Sequence, residues 1–211
     1  MIRLSLVLAL ALASPAIAQE ELRQRPSEDA PTPNLFLSPA GEPFRAAEDA
    51  PYPVGSWFGR ADTDADGVMT VTEFEADALR FFAALDTDKD GRLNNLEQVA
   101  YETEVAPEIL VAAPPVRRAR PADRRSVGTM ISPKGAKKLP PHLTRKGAGR
   151  YGLLNEPQPV AAADTDFNAI ITREEWSQAA RRRFTRLDND GNRQIRLEEL
   201  PVTPAQVMLT D

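Results

Sequence analysis

The sequence predicts an all-α protein with two helix–loop–helix lobes that a proline-rich basic linker joins. Three observations predict this fold class. Two stretches of twelve residues carry acidic side chains and a glycine at matching places. The residues between them place Phe74, Ala78, Phe82 and Leu85 on one face of an amphipathic helix. The acidic residues at positions 1, 3 and 12 and the apolar helix face both recur 102 residues further along the chain, which indicates the duplication of a whole two-loop unit.

Composition narrows the class of protein. A length of 211 residues permits one or two small domains. Nineteen residues are proline, nearly twice the average usage of about 5%, so long linkers are expected. The chain has no cysteine, which excludes disulfides, thiolate metal sites and cysteine nucleophiles. His142 is the one histidine and lies in a proline-rich stretch, so we expect no histidine-based zinc site.

Residues 1–18 are predicted to be a secretory signal peptide. Arg3 precedes an apolar run, Leu4–Ala13, and Ala16-Ile17-Ala18 matches the small-residue pattern of a cleavage site. The alternative is a membrane anchor, but the run is shorter than the ~20 residues that span a bilayer. We therefore expect a periplasmic or secreted protein with no transmembrane helix after signal cleavage.

Residues 19–53 are rich in Pro, Glu, Asp and Ala and contain few large apolar side chains. Such a segment buries too little surface to offset the conformational entropy lost on ordering, so it is predicted to be disordered. Leu35-Phe36-Leu37 is its one apolar patch and is a candidate for docking on a folded lobe.

The first acidic stretch, loop 1, is residues 62–73 and reads Asp-Thr-Asp-Ala-Asp-Gly-Val-Met-Thr-Val-Thr-Glu. Loop 2, residues 86–97, again has carboxylates at positions 1, 3, 5 and 12 of the loop and glycine at position 6. Both loops closely resemble the calcium loop of the EF-hand family, in which oxygen atoms surround Ca²⁺. The resemblance implies side-chain ligands at positions 1, 3, 5 and 12 and a backbone carbonyl ligand at position 7. In loops 1 and 2 these residues are Asp62, Asp64, Asp66, Val68, Glu73, Asp86, Asp88, Asp90, Arg92 and Glu97. The alternative is a polar turn that binds no ion.

The first EF-hand pair is predicted to span residues 54–106. Val54–Ala61 is the entering helix, and Gln98–Val105 continues as a short helix after loop 2. Only 12 residues separate the two loops, so one short shared helix must both leave loop 1 and enter loop 2. The resemblance also implies that paired loops contact each other as two short strands at position 8, which is Met69 in loop 1 and Leu93 in loop 2.

The second EF-hand pair is predicted to span residues 156–211, with loop 3 at 164–175 and loop 4 at 188–199. The ligands implied there are Asp164, Asp166, Asn168, Ile170, Glu175, Asp188, Asp190, Asn192, Gln194 and Glu199. Ala169 and Arg193 replace the glycine at position 6, and a Cβ in left-handed backbone costs about 1 kcal/mol. Position 5 is a neutral amide in both loops, which lowers the charge that attracts an ion. Loops 1 and 2 are therefore predicted to bind most tightly, then loop 3, then loop 4, whose alternative is a packed turn that stays empty.

The close spacing of the loops bears on the choice of ion. Asp62 and Asp86 are 24 positions apart, a spacing similar to that of bacterial periplasmic EF-hand proteins, which include the lanthanide-binding lanmodulins. The lanmodulin pattern has proline at position 2 and an acid at position 9. Here position 2 is Thr63, Thr87, Thr165 or Asn189, and position 9 is Thr70, Asn94, Thr172 or Arg196. These departures favour calcium over a lanthanide.

Residues 107–155 are predicted to be a basic, proline-rich linker. Within them, residues 117–150 hold eleven Lys or Arg and one Asp, a net charge of +10. This stretch could be a solvated linker, fold back onto the acidic lobes, or bind an external polyanion such as an anionic envelope lipid. Nucleic acid is not an expected partner, because the protein is predicted to be exported and no aromatic residues interleave with the basic ones.

These features predict an exported calcium-ion-binding protein that buffers calcium, senses it, or is stabilised by it. The alternative is an envelope scaffold or interaction protein whose basic linker contacts an anionic component or a protein partner. A lanthanide-binding protein is a third hypothesis. No enzymatic activity is expected, because the clustered acids are all assigned to metal sites.

Overall fold

The computed structural model describes residues 34–110 and 145–210 of the chain. The predictions for residues 1–18 and for the larger part of the linker, 111–144, lie outside the described residues. The strands are β1 (Asn34–Leu37), β2 (Pro43–Ala46), β3 (Met69–Thr70), β4 (Arg92–Leu93), β5 (Ile171–Thr172) and β6 (Gln194–Ile195). The α-helices are α1 (Val54–Ala61), α2 (Val71–Leu85), α3 (Asn95–Ala100), α4 (Arg173–Leu187) and α5 (Pro204–Thr210). Short 3₁₀ turns lie at Pro107–Leu110, Gly147–Arg150, Ala161–Ala163 and Leu197–Glu199, and a π-helical turn lies at Tyr101–Val105.

The long helices α2 and α4 occupy equivalent places in the sequence repeat and pack against each other. Each is 15 residues long and begins with a capping box, in which a threonine and a glutamate bond each other's backbone N–H groups. The ring centroids of Phe74 and Phe184 lie 5.6 Å apart, and those of Phe82 and Trp176 lie 5.7 Å apart. Phe74 and Trp176 are near the starts of their helices, whereas Phe82 and Phe184 are near the ends. The two helices are therefore antiparallel.

The prediction of an all-α protein is wrong, because three two-stranded antiparallel sheets accompany the helices within residues 34–110 and 145–210. Two of these sheets have strands of only two residues each, β3 with β6 and β4 with β5. The apolar residue at position 8 of each loop is buried there. Position 8 lies in extended backbone just before a helix starts. Because this residue is buried, its backbone N–H and C=O groups need hydrogen-bond partners, and a second strand supplies them.

Loop pairing also differs from the prediction that loops 1 and 2 contact each other. β3 of loop 1 pairs with β6 of loop 4, and β4 of loop 2 pairs with β5 of loop 3. The reason is the length of α2, about 22 Å at 1.5 Å per residue, which keeps loops 1 and 2 at opposite ends of one helix. The antiparallel α4 brings loop 4 to the end that holds loop 1. The two predicted lobes therefore share one hydrophobic core, which residues of both halves form.

The hairpin β1–β2 lies within residues 19–53, so the described part of that segment is ordered, contrary to the prediction of disorder. The two strands pair along four residues each. All four residues of β1 are buried, and the ring of Phe36 packs against those of Phe44, Tyr52 and Trp57. The apolar patch is short, but its nearly complete burial offsets the entropy lost on ordering.

The described ends of the predicted linker are packed rather than extended. After α3, the π-helical turn positions Tyr101, whose hydroxyl donates to the carbonyl of Gly41 at 2.9 Å. Residues 145–155 return through a 3₁₀ turn, and the N–H of Leu37 donates to the carbonyl of Tyr151 at 3.1 Å. This end of the predicted linker therefore packs beside β1. None of the helices in the described ranges is long and apolar enough to cross a membrane.

Candidate metal centres

Helix ends hold both ends of loop 1. The N–H of Asp62 donates to the carbonyl of Phe58 at 2.9 Å, which closes the last turn of α1. Thr70 at position 9 is the N-cap of α2, and its hydroxyl accepts from the N–H of Glu73. Loops 2 and 3 likewise begin at the end of a helical segment and end in a capping box. The end of one helical segment therefore fixes position 1, and the capping box of the next helix fixes position 12.

All four loops have left-handed backbone at positions 4 and 6. At position 6, φ is +81° for Gly67 and Gly91 and +64° for Ala169 and Arg193. Ala169 and Arg193 thus have the strained backbone that the sequence predicts, at a cost of about 1 kcal/mol relative to glycine. Position 4 has the same conformation without a matching sequence signal; its residues are Ala65, Lys89, Phe167 and Gly191.

The aspartate at position 1 of each loop accepts hydrogen bonds from backbone groups further along the same loop. In each loop, one carboxylate oxygen accepts from the N–H of position 6 at 2.9–3.0 Å. The other oxygen, Oδ1, differs between the loops. In Asp62 and Asp164 it is buried and has no hydrogen-bond partner. In loops 2 and 4 a backbone N–H group donates a hydrogen bond to this oxygen.

Carboxylate oxygens come together in three of the four loops. In each cluster, one oxygen from each of three residues lies within 4.8 Å of the others. The clusters are Asp62, Asp64 and Asp66 in loop 1, Asp86, Asp88 and Glu97 in loop 2, and Asp164, Asp166 and Glu175 in loop 3. The remaining acids of loops 1 and 2, Glu73 and Asp90, hydrogen-bond to backbone N–H groups of their own loops. In the described residues, Asp188, Asp190 and Glu199 of loop 4 form no such cluster.

The position 12 glutamates of loops 1 to 3 join the two ends of their loops. Glu73 accepts from the backbone N–H and the hydroxyl of Thr63 at one oxygen, and from the same groups of Thr70 at the other. Burial alone would raise the pKa of Glu73, but these hydrogen bonds outweigh it and lower the pKa to about 2. The same balance lowers the pKa of Glu175 to about 2 and also lowers the pKa of Glu97. All three carboxylates are charged at neutral pH.

Negatively charged carboxylates lie close together in loop 1. The backbone N–H of Asp66 lowers the pKa of Asp64, but desolvation and the charges of Asp66, Glu73 and Asp62 together raise it above its ordinary value. The folded loop therefore disfavours the charged form of this carboxylate. A cation placed among these acids would reverse that preference.

The amide at position 5 changes the hydrogen bonding of loops 3 and 4. Asn168 donates through Nδ2 to Asp166 at 2.8 Å, and its Oδ1 accepts from the N–H of Ile170 at 2.7 Å. Asn192 makes the same two bonds in loop 4. In loops 1 and 2 position 5 is an aspartate, which only accepts. The amide therefore already satisfies part of the position 3 carboxylate, and a bound ion would have to replace that bond.

The position 7 residues each donate their N–H to the position 5 side chain, at 2.7–2.8 Å. This bond orients the peptide groups around position 7, whose carbonyl is the predicted ligand. The four residues are Val68, Arg92, Ile170 and Gln194.

Sequence reasoning missed the role of position 2. Thr63, Thr87 and Thr165 each donate through N–H and hydroxyl to the position 12 glutamate. In loop 4 position 2 is Asn189, and within the described residues no hydrogen bond joins it to Glu199, which accepts from the N–H of position 9 alone. The recurrence of threonine in three loops and its replacement in the fourth is the sequence signal for this contact.

No family model matches the chain, and no curated protein or solved structure is significantly similar to it. The loops must therefore be interpreted from their own residues and geometry. They present oxygen donors and negative charge at fixed helix ends, an arrangement chemically suited to a hard cation.

Proposed function

We propose that this chain is a calcium-binding protein of the EF-hand type, in which loops 1, 2 and 3 bind Ca²⁺. The observation that supports it best is the unpartnered Oδ1 atom of Asp62 and of Asp164. Asp62 is 7% exposed, and leaving a buried polar group unpaired costs about 1–3 kcal/mol, more when it is charged. Both aspartates belong to clusters of three carboxylates. A cation bound in each cluster would give these oxygens their missing partner.

The donor set favours calcium among the common metal ions. Every donor in the three described clusters is a carboxylate oxygen, and no nitrogen or sulfur ligand takes part. Ca²⁺ accepts about six to eight oxygen ligands in a flexible geometry, whereas Mg²⁺ requires a near-ideal octahedron and keeps several waters. Zn²⁺, Cu²⁺ and Ni²⁺ prefer sites with imidazole or thiolate ligands.

In loop 1, Asp62, Asp64, Asp66 and Glu73 would hold the ion by their side chains, and Val68 by its carbonyl. The hydrogen bonds from positions 2 and 9 keep the Glu73 carboxylate charged at the start of α2. Bound Ca²⁺ supplies the positive charge that offsets the repulsion among these carboxylates. Because an ordered loop binds the ion better than an unfolded chain does, calcium is expected to stabilise the fold.

Affinity is proposed to fall from loops 1 and 2 to loop 3 and then to loop 4. Loop 3 has a carboxylate cluster, but Ala169 is strained and Asn168 already bonds the position 3 acid. Within the described residues, loop 4 has neither a carboxylate cluster nor a hydrogen bond between positions 2 and 12. Arg193 and Arg196 add positive charge beside it. Loop 4 is therefore expected to bind most weakly or to stay empty.

Calorimetric titration of the purified chain with Ca²⁺ tests this proposal. We expect strong binding at loops 1 and 2 and weaker binding at loop 3. Asp62→Asn should remove one strong site, because the amide lowers the charge of loop 1. Asp49→Asn changes an exposed acid outside the loops and is the matched control, with unchanged stoichiometry expected. No heat and no gain in thermal stability at millimolar Ca²⁺ would refute the proposal.

Competition with La³⁺ separates calcium binding from lanthanide capture. Position 9 carries no acid in any of the four loops, so a trivalent ion gains no extra carboxylate there. We expect the affinities for the two ions to agree within about a hundredfold, or about 2.8 kcal/mol. A much larger preference for La³⁺ would favour the lanthanide-binding alternative. The proposal includes export, which residues 1–18 predict. Calcium-binding modules outside the cell have Kd values of ~10⁻⁴–10⁻³ M, so affinities in this range are expected for an exported chain.

A further inference from the structure

Arg150 is a buried cation that lies outside the four loops. It is 8% exposed and ends the 3₁₀ turn Gly147–Arg150. Among residues 34–110 and 145–210, no oxygen accepts a hydrogen bond from its guanidinium group, which lies over the ring of Tyr151 at 5.4 Å from the ring centroid. A ring face offsets only part of the cost of burying a charge. The guanidinium group therefore lacks an anionic partner.

The hydroxyl of Tyr151 is a second donor at the same place. Tyr151 is 4% exposed, and within the described ranges its hydroxyl has no hydrogen-bond partner, although buried tyrosine hydroxyls normally have one. Burial raises the pKa of Tyr151, the charge of Arg150 lowers it, and the charge of Glu108 raises it. The hydroxyl thus keeps its proton at neutral pH. Neither donor is among the fully enclosed, unpaired polar atoms of the described residues, so solvent reaches both.

Glu108 is the acid whose charge acts on Tyr151, and it already has a partner. Arg45 donates to the two carboxylate oxygens of Glu108, at 2.8 and 2.9 Å, and to the carbonyl of Val105 at 2.8 Å. This pair balances one positive charge with one negative charge. The charge of Arg150 remains, and the exposed Lys146 adds another beside the same turn.

The backbone that carries the two donors is held from several sides. The N–H of Ala148 donates to the carbonyl of Pro157 at 2.9 Å. The carbonyl of Tyr151 accepts from the N–H of Leu37 at 3.1 Å and from the hydroxyl of Tyr52 at 3.3 Å. Donors on a backbone that is already fixed lose little conformational entropy when a ligand binds.

We propose that Arg150 and Tyr151 bind a carboxylate ligand, to which the guanidinium group and the hydroxyl both donate. The planar guanidinium fork matches the two oxygens of a carboxylate. One negative charge balances the one unpaired buried cation, whereas a phosphate dianion would bring a second negative charge towards Glu108. This inference does not rest on the proposed calcium binding.

Titration of the purified chain with sodium acetate at constant ionic strength tests the site. NMR signals of the Arg150 Nε–H and of the Tyr151 backbone amide should shift and saturate, with half-saturation between about 1 and about 30 mM. Tyr151→Phe removes only the hydroxyl and should raise the half-saturation concentration about threefold or more. Arg150→Gln should abolish the saturable shift of the Tyr151 amide. Arg182→Gln changes an exposed arginine and is the matched control, with wild-type half-saturation expected.

Thermal denaturation tests whether another group of the chain already pairs with Arg150. Without acetate, Arg150→Gln should leave Tm unchanged or raise it, because the substitution removes an unpaired buried charge. Saturating acetate should raise Tm of the wild type and not of this variant. A large loss of stability in acetate-free Arg150→Gln would overturn the proposal. The absence of saturable shifts in the wild type, or tighter binding of inorganic phosphate than of acetate, would overturn it as well.

A blocked peptide with a single glutamate, acetyl-Gly-Glu-Gly-amide, distinguishes two sources of the carboxylate. Tighter binding of this peptide than of acetate would assign the site to an acidic side chain of a peptide. Equal or weaker binding of the peptide, with acetate bound, would assign it to a free organic acid. Either result keeps the carboxylate as the group that the site recognises.

Discussion

The two halves of the chain keep the same helix framework but differ in their loops. α2 and α4 have equal length, the same capping box and reciprocal aromatic contacts. The loops of the second half lack the position 6 glycine and the position 5 carboxylate. In the described residues, loop 4 also lacks a carboxylate cluster. Packing and capping therefore maintain the helix pair even where the proposed ion ligands differ between the halves.

The halves also differ in how equivalent helix positions are buried. Phe81 of α2 corresponds to Arg183 of α4 in the 102-residue repeat. Phe81 packs its ring near that of Trp176, whereas Arg183, which is equally buried, donates to Glu156 at 2.8 Å and to the carbonyl of Pro159. An apolar contact in one half is thus replaced in the other by an ion pair that fastens the segment before loop 3.

The largest expected effect comes from Trp176→Ala, which tests whether the halves share one core. Trp176 is fully buried and its Nε1 donates to the carbonyl of Ala78 in the other half at 2.8 Å. We expect a loss of about 3–5 kcal/mol in the free energy of unfolding, measured by urea denaturation. The remaining transition should stay single, because both halves lose the same core. Two separate transitions would indicate independent lobes. Phe167→Ala, at a side chain that is 89% exposed, is the control and should change stability by less than about 0.5 kcal/mol.

Arg183→Ala should have the next largest effect and sharpens the contrast with Phe81. The substitution removes the buried partner of Glu156 and leaves this carboxylate the more exposed Arg186, so we expect a loss of up to about 3 kcal/mol, the lower end of the cost of breaking a buried ion pair. Urea denaturation measures this loss. Arg182→Ala changes the exposed neighbour and should alter stability by less than about 0.5 kcal/mol. Equal effects of the two substitutions would show that the buried pair contributes nothing specific.

A smaller effect is expected on stability at low pH, which depends on the ion pairs of Glu42 with Arg60 and Arg80 in the first half. Burial raises the pKa of Glu42, but hydrogen bonds and charges from Arg60 and Arg80 outweigh it and leave the pKa below 4.5. The network therefore contributes stability above the unfolded pKa of Glu42, and this contribution is lost as the pH falls through the folded pKa. Glu42→Gln should lose less unfolding free energy than the wild type between about pH 6 and about pH 3. Glu48→Gln, at an exposed acid nearby, should keep the full wild-type loss.

Local features of the fold could be predicted from the sequence because they depend on residue spacing. α1 covers the predicted entering helix Val54–Ala61. α2 contains the predicted Phe74–Leu85 and starts three residues earlier, because its capping box begins at Thr70. The left-handed backbone of Ala169 and Arg193 follows from their place in the loop pattern. Each of these predictions needs only neighbours in the chain.

Features that depend on distant residues could not be predicted in the same way. Three arginines of α4, Arg181, Arg182 and Arg186, are exposed. Arg183 is buried among them because Glu156 and Pro159 reach it from another segment. The hairpin at residues 34–46 depends on residues outside it, because Phe36 packs against Tyr52 and Trp57, and the N–H of Leu37 donates to the carbonyl of Tyr151. The resemblance to EF-hands implies contact between loops 1 and 2, but the length of α2 keeps them apart and the antiparallel packing of α4 decides which loops pair.

The smallest effect, and the most direct comparison of the halves, comes from exchanging their position 6 residues. Gly67→Ala should destabilise loop 1, and Ala169→Gly should stabilise loop 3, each by about 1 kcal/mol and with opposite sign. A Cβ added at Gly67 meets no atom within 4 Å, so the left-handed backbone alone accounts for the change. The calcium concentration at half-saturation should rise about fivefold for loop 1 in Gly67→Ala and fall about fivefold for loop 3 in Ala169→Gly. Calorimetry and urea denaturation of the two variants measure both quantities. A loss at Gly67→Ala far above 1 kcal/mol, or no gain at Ala169→Gly, would mean that backbone strain does not explain the difference between the halves. The charge of position 5, aspartate in one half and asparagine in the other, would then be the property that separates them.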